Sequence, residues 1–206
     1  MKRRARGYTV VELMMSLAVF ATGVVGIIAM QRAVVSSNQQ ARNVTVANAI
    51  AQSWLSQLSA DSSRWTARWS VSQTTWLSTI AGNDGVWQLP TYNSTLGFGP
   101  QFDGFGAPVT AGGQFCAQIR LTWLYGDNSP AQATGIAGNG VIRTEVRVFW
   151  PRQQRATAGD LSVDLRTRFA TDCTNGSAST VAGVVSAFSD GTYHVIVQAA
   201  AVRQPS

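Results

Sequence analysis

Residues 7–30 of the chain read GYTVVELMMSLAVFATGVVGIIAM. From Val10 to Met30 the stretch has 21 residues and a single charged side chain, Glu12. As an α-helix this segment measures about 31 Å, which matches the hydrocarbon thickness of a bilayer. The length and composition therefore predict a helix that spans a membrane.

Four basic residues precede the apolar segment, and none interrupts it. The positive-inside rule therefore places the N-terminus in the cytoplasm and the remainder outside. A secretory signal would have an apolar core of about 7–15 residues and a small-x-small cleavage site. The run here is longer, and Met30-Gln31-Arg32-Ala33 is a poor site of that kind. An ordinary signal anchor explains the length and the basic flank but leaves Glu12 unexplained.

Glu12 is the most informative residue of the segment. A carboxylate in a spanning helix costs on the order of 2.5–3.5 kcal/mol at mid-membrane, and somewhat less near the edge. The apolar segment offers it no partner. The free α-amino group of another subunit would serve, provided that a cleavage places a new N-terminus at the depth of Glu12.

Gly7-Tyr8-Thr9-Val10-Val11-Glu12 resembles the prepilin motif of the type IV pilin family, in which a peptidase cleaves after glycine and methylates the new N-terminus. The resemblance implies cleavage after Gly7, methylation at Tyr8, and subunit pairing through Glu12. Tyr8 stands where the family commonly has Phe, and it keeps the aromatic ring. A glycine also lets a peptidase approach the backbone without a side chain in the way.

Residues 21–31 extend the resemblance. They are similar to the glycine-dotted apolar run, ending in Gln, of PilV-type minor pilins. Major pilins usually carry a helix-kinking proline in the later part of this helix, and this chain has none through Ala29. The resemblance, which covers roughly residues 1–60, therefore implies a minor pilin or pseudopilin.

An amphipathic pattern continues after Met30 without a proline until Pro90. Its apolar positions at helical spacing are Val34, Ala41, Val44, Ala47, Ala51, Trp54, Leu55 and Leu58. One helix from about Thr9 to Leu58 would measure about 75 Å. A membrane anchor followed by an unrelated core helix is the alternative, and it predicts a turn near Ser36-Ser37-Asn38. Asp61-Ser62-Ser63 is typical of a helix end followed by a new N-cap, with one or two short helices around Trp65, Trp69, Trp76 and Ile80.

The rest of the chain predicts a loop and then a sheet. Residues 82–113 are rich in Gly, Pro and aromatic residues, which predicts a long irregular loop. Its aromatic side chains either hold the loop to the head or contact a neighbouring subunit. Period-two patterns predict strands at 114–125, 141–150, 162–169 and 192–202. The first two are predicted to have one buried face, with polar residues such as Gln118, Glu145 and Arg147 on the other. In the last strand the predicted apolar face holds Tyr193, Val195, Val197, Ala199 and Ala201.

Together these patterns predict an α+β, type IV pilin-like fold, with a long N-terminal α-helix packed on an antiparallel β-sheet head. The predicted organisation is a cleaved leader, 1–7; an N-terminal helix, 8–60; and a periplasmic head, 61–206. Residues 8–30 of the helix lie in the membrane or the filament core, and residues 31–60 pack on the head. The head has its loop at 82–113 and its sheet at 114–206.

The two cysteines, Cys116 and Cys173, lie far beyond the apolar segment. In an oxidising compartment an even number of cysteines predicts a disulfide, worth roughly 4 kcal/mol for a closed loop of about 58 residues. Two unpaired buried thiols are the alternative. A metal site is not expected, because His194 is the only histidine and the chain has no C-x-x-C pair.

The charge distribution argues against a nucleic-acid partner. Four of the sixteen basic residues precede Gly7, and the remaining twelve, against ten acidic residues, form no cluster. Catalytic signatures such as G-x-S-x-G, the Walker loop and H-E-x-x-H are absent from the sequence, so neither an enzyme nor a cofactor is expected.

The resemblance implies a minor pilin that primes filament assembly and forms part of the tip complex. Its implied partners are prepilin peptidase, other minor pilins, the major pilin and a tip adhesin. The implied location is the bacterial inner membrane, crossed once, and then the pilus at the cell surface. A minor pseudopilin of a type II secretion system is the alternative within this class, because the same N-terminal leader, apolar helix and glutamate would serve it equally well. A membrane-anchored periplasmic enzyme or binding domain with a fortuitous motif is the alternative from another class.

Overall fold

The computed structural model describes residues 9–65, 71–124, 141–152, 161–173 and 192–203. The chain divides after Asn43 into two units, which are described separately. Helix α1, Val10–Ser62, has 53 residues and begins in the first unit and ends in the second. It is helical without interruption at Ser36-Ser37-Asn38, so the predicted continuous helix is confirmed and the alternative with a turn there is wrong.

The second unit contains the sheet. In chain order, its elements after α1 are a 3₁₀ helix, Leu77–Ile80; β1, Trp87–Gln88; β2, Gln101–Phe102; β3, Pro108–Val109; β4, Phe115–Trp123; β5, Val141–Pro151; α2, Leu161–Asp172; and β6, Tyr193–Arg203. The described strands are ordered β3-β2-β4-β5-β6, with β1 also paired to β4. All of these pairings are antiparallel. A long helix followed by an antiparallel sheet is the predicted α+β, type IV pilin-like fold.

The C-terminal part of α1 supplies one side of the main core. Its buried residues recur at three- and four-residue steps, which places them on one face of a helix: Ala47, Ile50, Ala51, Trp54 and Leu58. They form one cluster with residues of β4 and β5, including Ile119 and Val146. The Trp54 ring contacts Trp76 and Phe98, with centroids 5.1 and 4.7 Å apart. The sequence pattern predicted this face but omitted Ile50.

Asp61 lies near the end of α1 and is only 6% exposed. Its carboxylate accepts hydrogen bonds from the backbone N–H groups of Thr75, Trp76 and Leu77, at 2.7, 2.6 and 3.0 Å. Asp61 therefore holds the N-terminus of the 3₁₀ helix at Leu77–Ile80, where helices leave backbone donors without a partner. The predicted helix end at Asp61-Ser62-Ser63 is confirmed, because α1 ends at Ser62. The 3₁₀ helix at Leu77–Ile80 lies within the region predicted to form one or two short helices. The chain makes turns at residues 63–64, and Trp69 lies outside the described residues.

The predicted strand at 162–169 is also wrong, because these residues belong to helix α2. In the sequence Leu161, Val163 and Leu165 alternate with polar residues and suggest period two. In the structure Phe169 and Cys173, four positions apart, are buried and form a second small cluster with Cys116, Phe149 and Tyr193. Packing against the sheet therefore overrides the local alternation.

Two further contacts hold α2 in place. Cys116 and Cys173 form a disulfide with a Cα–Cα distance of 5.9 Å, which joins the end of α2 to β4. The Tyr193 hydroxyl donates a hydrogen bond to the Asp172 carboxylate at 2.7 Å. Burial, followed by this bond to Asp172, raises the pKa of the Tyr193 hydroxyl above its ordinary value.

The sheet is more fully covered than period-two patterning predicts. Gln118 in β4, and Glu145 and Arg147 in β5, are buried although they were expected on an open face. The strand predicted at 192–202 is confirmed as β6, Tyr193–Arg203. On its predicted apolar face Tyr193 is buried, whereas Val197 is 55% exposed. The alternate positions of β6 face α1, since Gln198 donates a hydrogen bond to Asn48 at 3.0 Å.

The loop at 82–113 contributes three two-residue strands to the sheet, which the composition did not predict. Phe98 and Phe102 are buried in the main core, so aromatic residues do hold the loop to the head. Phe105, by contrast, is 82% exposed. It lies in a turn in which the Asp103 carboxylate accepts hydrogen bonds from the N–H groups of Phe105 and Ala107, at 2.8 and 2.9 Å.

The hydrogen bonds to Asp61 predict the cost of removing its carboxylate. Asp61→Ala should lower the free energy of unfolding by about 3 kcal/mol, because three backbone donors lose a charged acceptor. Urea unfolding of the detergent-solubilised chain, followed by tryptophan fluorescence, measures the change. The matched control is Asp103→Ala, which affects two donors of a surface turn and should cost about 1 kcal/mol. A loss at Asp61 no larger than that at Asp103 would contradict the role assigned to Asp61.

The position of the disulfide predicts which part of the second unit depends on it. Replacing both Cys116 and Cys173 by Ser should lower the free energy of unfolding by about 4 kcal/mol. The loss should fall first on α2, because the main core has its own packing. Hydrogen exchange should therefore accelerate at the amides of 161–173 more than at those of β5, and reduction of the unmodified chain should give the same pattern. Unchanged protection of α2 in the reduced protein would refute this assignment.

Candidate functional site: the N-terminal helix

Thr9 and Glu12 fix the start of α1. The backbone carbonyl of Thr9 accepts hydrogen bonds from the N–H groups of Glu12 and Leu13, at 3.1 and 3.2 Å. The Thr9 hydroxyl also accepts from the Glu12 N–H, at 3.3 Å. Thr9-Val10-Val11-Glu12 has the T-x-x-E spacing of a capping box, a signal that the sequence analysis missed. A carboxylate in the first turn is also favoured by the helix dipole.

The capping arrangement leaves the Glu12 carboxylate accessible. Glu12 is exposed and is flanked by Val11 and Leu13, which are 63% and 60% exposed. Within residues 9–43, the described part of the first unit, no basic side chain forms an ion pair with this carboxylate. Gly7 and Tyr8 lie outside the described residues. The structure therefore places Glu12 in the first turn of the apolar helix with its acidic group available to a partner.

The helix surface after Glu12 is apolar on every side. Leu17, Phe20, Val25 and Met30 point in different directions around the axis and are 59–72% exposed. A helix that is apolar all round belongs in a membrane or in the interior of a protein assembly. Val10–Ser62 contains a window long and apolar enough to cross a membrane, none of it buried within the described chain. The segment is thus compatible with a membrane anchor.

Two hydroxyl groups in this segment form hydrogen bonds to backbone carbonyls of the same helix. The Ser16 and Thr22 hydroxyls donate to the carbonyls of Glu12 and Val19, each at 2.8 Å. Such bonds avoid leaving a hydroxyl unpaired in an apolar surrounding. Gly23 and Gly26 have open space where a Cβ would stand, and small residues allow another helix to approach closely. Glu12 is therefore the polar group of this segment that calls for an outside partner.

One cluster of ionisable groups in the second unit is, by contrast, engaged internally. Glu145 forms ion pairs with Arg120 and Arg143, and the hydrogen bond from Arg120 lowers the pKa of its carboxyl despite burial. The Trp87 ring lies beneath the guanidinium carbons of Arg120 and Arg147, at 4.9 and 4.4 Å from its centroid. Burial, with the charge of Arg120 second, lowers the pKa of Arg147 to about 10. This cluster covers the sheet.

His194 is half-buried and stacks on Trp150, with ring centroids 5.5 Å apart. Burial, and secondarily Arg152, lowers the pKa of its imidazole. No group of three or more His, Cys, Asp or Glu residues in the described ranges is arranged to hold a metal ion. Cys116 and Cys173 are brought together as the disulfide.

Residues 2–28 match the family described as the prokaryotic N-terminal methylation motif. No curated protein and no solved structure matches the chain. The match includes Gly7, Tyr8 and Glu12 and ends within the apolar part of α1. The matched motif, the apolar helix and the antiparallel sheet that follows together support a type IV pilin-like protein.

Proposed function

We propose that this chain is a minor pilin of a type IV pilus machine, a non-catalytic subunit that primes filament assembly and forms part of the tip complex. The observation that carries the proposal is the accessible Glu12 carboxylate in the first turn of an all-round apolar helix, inside a matched methylation motif. The general assignment as a pilin-like protein rests on that motif. The specific place in the pilus is the part proposed here.

The first step is insertion and processing at the inner membrane. Lys2, Arg3, Arg4 and Arg6 keep the leader in the cytoplasm, and the apolar helix spans the bilayer. Prepilin peptidase then cleaves after Gly7 and methylates the new amine of Tyr8. The methylated amine remains a cation, so it can still pair with a carboxylate.

The second step is transfer of the helix from lipid into a bundle with other subunits. Tyr8 lies four residues before Glu12, which is about 6 Å along a helix axis. The Glu12 carboxylate therefore meets the Tyr8 ammonium of a neighbour that is displaced by a short distance along the filament. An unpaired charge in a low-dielectric bundle is costly, whereas a paired charge favours one axial register. Glu12 thus contributes specificity of register more than net stability.

The third step concerns the head. Its disulfide fits a compartment that oxidises thiols, such as the periplasm. Helix α1 contains no proline from Val10 to Ser62, unlike the helix of a typical major pilin, and residues 21–31 resemble those of PilV-type minor pilins. These features favour a subunit present in few copies, joined to other minor pilins and the major pilin beneath a tip adhesin.

A minor pseudopilin of a type II secretion system is the runner-up, because it would carry the same motif and the same apolar helix. Neighbouring genes for pilus assembly or for secretion distinguish the two. An anchored enzyme or binding domain has no need for a methylated N-terminus at Tyr8. Mass spectrometry of the mature N-terminus distinguishes that alternative.

The cleavage step makes a prediction about Gly7. Gly7→Val should cause the uncut precursor to accumulate, because a branched side chain blocks approach of the peptidase to the backbone. Intact-mass measurement of the membrane protein detects the retained seven-residue leader. Ala5→Val is the matched control, since it places the same valine side chain inside the leader and should be cut normally. Efficient cleavage of the Gly7→Val chain would refute Gly7 as the processing site.

The pairing step makes a separate prediction about Glu12. Glu12→Ala should insert and be cleaved like the unmodified chain but enter sheared filaments poorly, with a loss of at least about tenfold if pairing favours the register by 1.4 kcal/mol or more. Quantitative immunoblotting of filament and membrane fractions measures the ratio. Ser16→Ala, one turn further along the helix, is the control and should be incorporated normally. Normal incorporation of Glu12→Ala would rule out the pairing.

A further inference from the structure

The start of α1 lies close in sequence to the bond that the peptidase would cut. Helix α1 begins at Val10, and the proposed cleavage separates Gly7 from Tyr8, so that Thr9 alone stands between the new N-terminus and the helix. The helix start also falls within residues 2–28, which match the methylation motif. The contacts that fix the first turn of α1 therefore bear on the cleavage.

Composition alone does not fix this helix start. The sequence from Tyr8 to Leu13 contains neither proline nor glycine, and the first strong helix breaker before Val10 is Gly7. Composition thus allows a helix that runs back to Gly7. In such a helix the Gly7 carbonyl would accept a hydrogen bond from the N–H of Val11, four residues further on. That carbonyl belongs to the peptide bond that is cut.

The structure shows an earlier boundary, which Thr9 supplies. Its backbone carbonyl accepts hydrogen bonds from the N–H groups of Glu12 and Leu13, at 3.1 and 3.2 Å. Its hydroxyl accepts a further bond from the Glu12 N–H, at 3.3 Å. A side-chain oxygen that binds the N–H three positions on is the mark of an N-cap, and N-cap residues have non-helical backbone angles. Thr9 therefore starts the helix at Val10.

We propose that Thr9 is a positioning residue for the cleavage, because its cap starts α1 beyond the Gly7–Tyr8 bond and keeps the Gly7 carbonyl out of the helix. The inference rests on cleavage after Gly7, which belongs to the proposed function, and adds a residue that controls that reaction. In the hydrolysis, water adds to the Gly7 carbonyl carbon and the bond to the Tyr8 nitrogen breaks. Gly7 leaves as the carboxylate, and a proton passes to the Tyr8 amine. Thr9 takes no part in these bond changes.

A carbonyl inside a helix is a poor target for hydrolysis. Attack requires that hydrogen-bond donors of the active site reach the carbonyl oxygen as charge develops on it. In a helix that oxygen is already paired with an N–H group of the next turn, and the turn has to open before the peptidase can act. When only a fraction of the substrate is in the competent form, its apparent affinity falls by that fraction. The Thr9 cap holds the precursor in the competent form.

The first experiment measures cleavage of the purified full-length precursor by prepilin peptidase in detergent, with intact mass as the readout. Thr9→Val keeps the shape of the side chain but removes the hydroxyl, and it should raise KM several-fold with little change in kcat. Thr9→Ser keeps the capping hydroxyl and should be cut like the unmodified chain. The matched control is Thr22→Val, which removes a hydroxyl that binds the Val19 carbonyl within the same helix and should change neither constant. Normal cleavage of Thr9→Val would overturn the proposal.

The second experiment measures the helix start directly, by amide hydrogen exchange of the precursor without peptidase. A helix leaves its first N–H groups without an intrahelical acceptor, so the Val11 amide should exchange quickly in the unmodified chain. In Thr9→Val the helix should extend, give Val11 the Gly7 carbonyl as acceptor, and slow this exchange several-fold. The Ser16 amide, which lies inside the helix in both chains, should exchange at the same rate in both.

The two readouts together distinguish helix positioning from direct contact with the peptidase. A hydroxyl that contacts the peptidase would slow the cleavage of Thr9→Val without changing the exchange of Val11. It would also lower kcat where the cap raises KM. Either result would show that Thr9 does not act through the helix start, and the proposal would be wrong.

The outcomes also separate this inference from the proposed function. Efficient cleavage of Gly7→Val would refute cleavage after Gly7 and this inference with it. Accumulation of uncut Gly7→Val together with normal cleavage of Thr9→Val would refute the role of Thr9 alone. The Glu12 pairing is tested independently, because the cap uses the backbone N–H of Glu12, which Glu12→Ala retains.

Discussion

Helix α1 carries two different patterns of apolar surface along one continuous backbone, each suited to a different surrounding. Before Met30 it is apolar on all sides, which suits lipid or a bundle of helices; after Val44 it is apolar on one face, which packs on a sheet. A second carboxylate in the apolar part of this helix would be a further charge without a partner in that segment. The sequence has no acidic residue between Glu12 and Asp61, and no proline interrupts the helix there. The two surface patterns can therefore follow one another along one helix without a turn at residues 36–38.

Buried carboxylates of the second unit, among them Asp61 and Glu145, have partners within that unit. Asp61 is shielded from water but accepts three backbone hydrogen bonds, and Glu145 is shielded but lies between two arginines. Each arrangement joins segments that are distant in sequence: α1 to the 3₁₀ helix, and β4 to β5. Burying these groups without their partners would cost more than the folded state gains from them. The polar contacts therefore act mainly to specify one arrangement of the chain, while apolar packing supplies most of the stability.

The parts of the fold that sequence predicts well are those with long, unambiguous periodicity. Helix α1 and the strands β4 and β5 each repeat one pattern over many residues. The errors occur where the pattern is short or balanced. In β6, valine, isoleucine and alanine occupy both faces, so alternation does not reveal which face meets α1. Phe169 in α2 and Cys173 directly after it are buried because they contact Phe149 of β5 and are joined by the disulfide to Cys116 of β4, both distant in sequence.

The same limit applies to the candidate site. Glu12 is visible in the sequence because a charge in an apolar run contradicts its surroundings. The T-x-x-E capping box beginning at Thr9 is also present in the sequence. It was missed because Glu12 was interpreted only through the free-energy cost of placing a carboxylate in a membrane. The function of Asp61 could not be predicted, because its three backbone donors lie 14 to 16 residues further along the chain and the intervening sequence has no regular pattern. Local patterns identify a misplaced charge more readily than the distant group that satisfies it.

Among the described side chains, the carboxylates of the two units differ in their partners. Asp61, Asp84, Asp103, Glu145 and Asp172 of the second unit form hydrogen bonds or ion pairs within that unit. The Glu12 carboxylate of the first unit is accessible instead, and its helix is apolar on all sides. A carboxylate in an apolar surrounding is costly unless a cation pairs with it. A small number of charged contacts in an apolar bundle also discriminates more sharply between neighbours than a large number.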